Sequence, residues 1–131
     1  MIIRFFIYGM LGWTMEIFWT GFNSFLKDDY KLIANTSLWM FPIYGLAIFL
    51  EPVFNLMVNL HILIRGVVYM FCIFGAEYIT GTGIIKIIGA CPWDYSDSPF
   101  NINSVIRLDY APIWFLVGLG FEKLYFFLIN F

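Results

Sequence analysis

Residues 63–88 read LIRGVVYMFCIFGAEYITGTGIIKII. The run is apolar except for Arg65 at its start, Lys86 near its end and Glu77 in its middle, with threonines and glycines between. A helix needs about 20 mostly apolar residues to cross a hydrocarbon layer ~30 Å thick, and this run exceeds that. Lys86 can stretch its ammonium to the interface. Glu77 is too far from either end to do so. The reading that follows is a transmembrane helix with a carboxylate at mid-depth.

Three further runs share this character: residues 2–26, 38–60 and 111–131. The expected fold is therefore all-α, an integral membrane four-helix bundle forming a single transmembrane domain over residues 1–131. Composition agrees. The chain is 62% hydrophobic, 22% aromatic and only 12% charged, with a mean hydropathy of +0.85. Soluble domains carry about 25% charged residues. A net charge of −2 supplies no basic field, which excludes nucleic acid as a partner. The start of the chain reads MIIR followed by an apolar run to about residue 26, too long for a signal-peptide core and without a small-x-small cleavage site, so it is taken as the first span.

Between the last two runs lies residues 90–110, ACPWDYSDSPFNINSVIRLDY, the longest polar stretch of the chain. Phe100, Ile102, Val105 and Ile106 keep it partly apolar, so a structured loop packed at the membrane surface is expected rather than a solvated tether. Asp94 and Asp97 can each cap a turn. Glu51-Pro52 interrupts the second run, and proline there should kink or break the helix.

Four spans place both termini on one side and the loops 27–37 and 90–110 on the other. The positive-inside rule leans to cytoplasmic loops in a multi-pass cell-membrane protein. A faint internal repeat groups the spans as two helix pairs. Glu16 in GWTMEIFWTG echoes Glu77 in GAEYITG, and Pro42-Ile43-Tyr44 echoes Pro112-Ile113-Trp114. Such pairs would be parallel repeats, with biased composition as the rival explanation.

Glu16, Glu51 and Glu77 stand where a charge costs several kcal/mol, about 3 on insertion scales. Glu16 and Glu77 fall at similar depth, and two facing carboxylates would share a proton or a cation. One reading is a polar cavity lined by these glutamates with Thr14, Thr20 and Thr80; the other is structural glue between helices. Arg107 could pair with Glu16, Glu77 or Asp94 if the loop folds back, or meet anionic headgroups. Cys72 and Cys91, about 28 Å apart along a helix, do not pair. One histidine and no Cys-x-x-Cys leave no metal site, and no cofactor is expected.

Gly12-Trp13-x-x-Glu16, Pro42-Ile43-Tyr44-Gly45, Glu77-Tyr78-x-Thr80-Gly81 and Trp93-Asp94-Tyr95-Ser96-x-x-Pro99-Phe100-Asn101-Ile102-Asn103 with Arg107 occur in this order. The set resembles small bacterial membrane proteins described as "putative ABC-transporter type IV", or CmpB-like. Here residues 34–41, ANTSLWMF, keep Asn35 but lack the family's usual arginine and glycines, and Leu108 stands where a cysteine is common. The resemblance implies transport. The chain has no Gly-x-x-x-x-Gly-Lys-Ser/Thr phosphate loop, so ATP hydrolysis would come from elsewhere, and so few spans imply a homo-oligomer or a membrane partner subunit, with lipid around it. The expected function is a transporter-like or permease-like subunit whose site uses Glu16, Glu77, Asp94, Arg107, Trp93, Tyr95 and Asn101, gated by residues 90–110. The alternatives are a membrane-embedded enzyme using paired carboxylates on a lipid or isoprenoid, and a non-catalytic partner subunit.

Overall fold

A computed structural model describes residues 1–131. It is all-α apart from one short hairpin, and it divides into two compact units, Met1–Ile48 and Phe49–Phe131. Three stretches are long and apolar enough to cross a membrane: Met40–Met57, Ile62–Ile88 and Leu108–Ile129. The first helix, α1 (Ile2–Leu26), has the length at 25 residues, but Arg4, Glu16, Asn23 and Ser24 dilute its apolar character. Large side chains point outward along these helices. Phe18 is 74% exposed, Ile79 71% and Leu116 67%, a cost in water that lipid removes.

In the first unit α1 packs against α2 (Met40–Gly45). The seam is set by Gly12: a Cβ there would lie 2.0 Å from Tyr44 Cγ, so only glycine lets the tyrosine ring cross the helix backbone. Phe41 stacks on the same side, 4.8 Å from the Trp13 ring and 5.6 Å from Phe6 between centroids. The connection is tied back to α1 by side chains. Trp13 Nε1 donates to Ser37 O at 3.1 Å, and Asn35 N donates to Thr20 Oγ1 at 3.0 Å.

Helical geometry loosens beyond α2. Leu46–Leu50 winds as a 3₁₀ turn before α3 (Glu51–Met57) restarts with its proline in the first turn. Pro52 explains this: it has no N–H for the carbonyl four residues back, and its ring crowds that carbonyl. As a helix start the same residue is well placed.

The second unit is organised by α4 (Ile62–Ile88) and α5 (Ala111–Ile129). His61 caps α4, its Nδ1 accepting from Leu63 N at 3.2 Å, and Gly89 ends it at φ +80°. Close approach again depends on a glycine. A Cβ on Gly118 would lie 2.4 Å from Tyr69 Cβ. Phe54 of α3 is fully buried, edge-on to Tyr69 with centroids 5.0 Å apart.

Residues 90–110 are structured as expected. Strands β1 (Asn101–Ile102) and β2 (Ile106–Arg107) pair antiparallel. Their turn places Asn103 at φ +51° and Ser104 at φ +61°, with Val105 N donating to Ile102 O at 3.1 Å. Two consecutive left-handed residues are what a type I′ turn requires, and asparagine tolerates that region well. Val105, fully buried, and Ile106 join Phe74 and Trp114 in one apolar cluster. That burial presses the hairpin onto α4, where a Cβ on Gly81 would lie 3.0 Å from Val105 Cγ1 and 3.1 Å from Trp93 Cζ2.

Candidate functional site

The carboxylate in the middle of α4 is where the loop and the helix meet. Tyr95 OH donates to Glu77 Oε1 at 3.2 Å. The loop holds Tyr95 in place for three reasons. Its N–H donates to Ser104 O at 3.0 Å, its ring stands edge-on to Tyr110 at 5.6 Å, and Trp93 beside it is fixed by an Nε1 bond to Val105 O at 2.9 Å. Gly81 lies one turn after Glu77 and admits the Trp93 ring.

The remaining sequence-derived residues divide by role. Asn101 is used inside the loop: its Nδ2 donates to Ser98 O at 2.6 Å and its Oδ1 accepts from Ser104 N at 3.1 Å. Asp94 is exposed, its Oδ1 accepting from Ser96 N at 2.9 Å, and that bond holds its carboxyl below the usual carboxylate range. Arg107 is directed to Asp109 rather than to Glu77 or Asp94. Its Nε lies 2.9 Å from both Asp109 oxygens, its Nη1 donates to Tyr110 OH at 3.3 Å, and its guanidinium carbon sits 4.4 Å from the Tyr110 ring centre. The cause is local. Arg107 ends β2 extended and a 3₁₀ turn, Leu108–Tyr110, follows, which brings a carboxylate two residues on back to it. Ser98, buried, adds a hydroxyl bond to Asp109 Oδ1 at 3.2 Å.

Glu16 belongs to the first unit, where it repeats the α4 arrangement. Tyr44 OH donates to Glu16 Oε1 at 3.0 Å. In each unit, then, the glutamate of a long helix accepts from a tyrosine supplied by the segment that follows it.

Sequence reasoning missed a second polar cluster in the second unit. Glu122 of α5, 5% exposed, accepts through Oε2 a hydrogen bond from Tyr69 OH, and Arg65 Nε lies 3.1 Å from the same oxygen. Arg65 Nη1 also donates to Leu60 O at 2.9 Å. Asn55 Nδ2 of α3 also donates to Tyr125 OH of α5 at 2.9 Å. The signal was present: Arg65 and Tyr69 are four apart and so share a helix face, and Glu122 stands inside an apolar run. Reading Arg65 only as the polar start of the run at residues 63–88 hid it. No group of three or more potential metal ligands forms anywhere.

A family model described as "Putative ABC-transporter type IV" matches residues 3–130. No solved structure matches the chain.

Proposed function

The chain belongs to the family described as "Putative ABC-transporter type IV", and from that premise we propose that it is the membrane subunit of a transport complex in which residues 90–110 control access to Glu77. The observation that carries this reading is the Tyr95–Glu77 hydrogen bond of 3.2 Å. A carboxylate held at mid-depth is costly and is ordinarily retained for binding or relay. The Tyr95 hydroxyl stabilises it, and a carboxylate at that depth is chemically suited to take up a proton or a monovalent cation. Moving the loop breaks that bond, which is a gate in physical terms: a contact with two states.

On this reading α1 is the fourth span, and Glu16 with Tyr44 forms an equivalent station in the first unit. Residues 27–37 and 90–110 share the cytoplasmic face of the cell membrane, where a nucleotide-hydrolysing partner would dock. Reconstitution in liposomes with a trapped pH or cation dye tests it. The wild type should pass ions under an imposed gradient, and Glu77→Gln and Glu16→Gln should abolish the flux. Wild-type flux in both variants overturns the proposal.

A further inference from the structure

Where α4 ends, the hairpin leaves a hollow of about 330 Å³ whose lining includes Ile85, Cys91, Trp93, Asp94, Asn103 and Ser104. Its volume sits at the low end of small-ligand sites, which run about 300–1,000 Å³, and suits a single headgroup rather than a whole lipid.

We propose that this hollow binds a primary or quaternary ammonium group, the headgroup chemistry of an amine-bearing phospholipid. Depth is the first argument. α4 has 27 residues, about 40 Å at 1.5 Å per residue, more than the ~30 Å hydrocarbon layer. Its end therefore reaches the headgroup zone. Charge is the second. Asp94 is the one formally charged side chain in the lining, exposed and ionised at neutral pH. Lys86 and Arg107 are outside the lining, so the hollow selects for a cation. Aromatic character is the third. Trp93 lines the hollow with its ring already fixed by the Val105 O bond, and an indole is the best aromatic partner for an ammonium. Asn103, held at the turn tip by its left-handed backbone, adds a carboxamide to the lining. The assignment needs only a bilayer around the chain and does not use the transport reading.

Asp94→Asn separates recognition from folding, because an asparagine oxygen can still accept from Ser96 N and keep the turn. The readout is protection of Cys91, which lines the hollow, from a maleimide in a Cys72→Ala background. Detergent-purified protein is titrated with phosphatidylethanolamine, phosphatidylglycerol or free ethanolamine. The amine lipid should protect Cys91 and phosphatidylglycerol should not. Asp94→Asn should weaken protection about tenfold, the size of one charge-assisted hydrogen bond. Protection by free ethanolamine at matched concentration would identify the source as a soluble amine; protection by the lipid alone would identify the membrane. Equal protection by phosphatidylglycerol, or an Asp94→Asn protein that binds as the wild type does, overturns the proposal. Amide exchange over residues 90–110 confirms that the variant keeps the loop. Ion flux is measured separately, so the two proposals fail independently.

Discussion

Arg65 Nε lies 3.1 Å from Glu122 Oε2, joining the first turns of α4 to the second half of α5 inside stretches long enough to span a membrane. Removing one partner leaves the other charge without compensation in a poor solvent for it. Arg65→Met or Glu122→Leu alone should destabilise by up to about 3 kcal/mol, the cost of breaking a largely buried pair. The double variant should recover most of that loss, since apolar replacement of both partners is often close to neutral. Unfolding in mixed micelles by increasing SDS measures all three. Additive losses in the double variant would show that the pair does not act as a unit.

The two glycine seams make an unequal prediction. Gly12→Ala and Gly118→Ala place a Cβ 2.0 Å from Tyr44 Cγ and 2.4 Å from Tyr69 Cβ. Each should lower stability by about 1–3 kcal/mol, the usual cost of overpacking. Gly75→Ala meets nothing within 4 Å and should be neutral or stabilise by roughly 0.5–1 kcal/mol through helix propensity. Thermal unfolding in one detergent ranks them.

Tyr95→Phe removes one hydroxyl and keeps the ring against Tyr110. The loop should loosen by about 1 kcal/mol, the net worth of one hydrogen bond. Faster amide exchange over residues 90–110, with α5 unchanged, is the expected result. Uniform acceleration across the chain would mean that Tyr95 supports the whole unit instead.

Burial pushes the Cys91 thiol above its ordinary range, opposed by the Trp93 backbone N–H and reinforced by Glu77 and Asp94. A raised folded value favours the protonated thiol. The stability it contributes is present below the unfolded pKa of about 8.5 and is lost as pH rises through the folded value. Alkylation of Cys91 should therefore show a pH midpoint above that of the SDS-unfolded chain. Coincident midpoints would refute the burial argument.

At the hairpin tip, Asn103→Gly should be tolerated because glycine adopts φ +51° freely. Asn103→Val should cost about 1–3 kcal/mol, since a β-branched residue resists that region. Limited proteolysis of residues 90–110 distinguishes the two.

Much of this was open to a reader of the chain alone. Apolar run length depends on solvent, not on partners, so three of the four expected spans and the structured polar loop could be read directly. Pro52 announced the break in the second run because its missing N–H acts locally. The glycines could be counted in the chain, but which glycine meets which ring could not be read: the partner of Gly118 is Tyr69, on another helix. The chain alone left Arg107 open to a distant acid or to anionic headgroups, whereas the turn that follows it brought Asp109, two residues on, to it.

The amino-acid sequence by itself determined the solvent this protein lives in, the places where carboxylates are expensive, and the family to which the chain belongs. These follow from composition and local pattern. Only the tertiary structure decided that Tyr44 serves Glu16 and Tyr95 serves Glu77, that Arg65, Tyr69 and Glu122 converge, and that the hairpin leaves a hollow at the end of α4. Each of those depends on the rotation of one helix or loop against another, a quantity fixed by packing and invisible to periodicity.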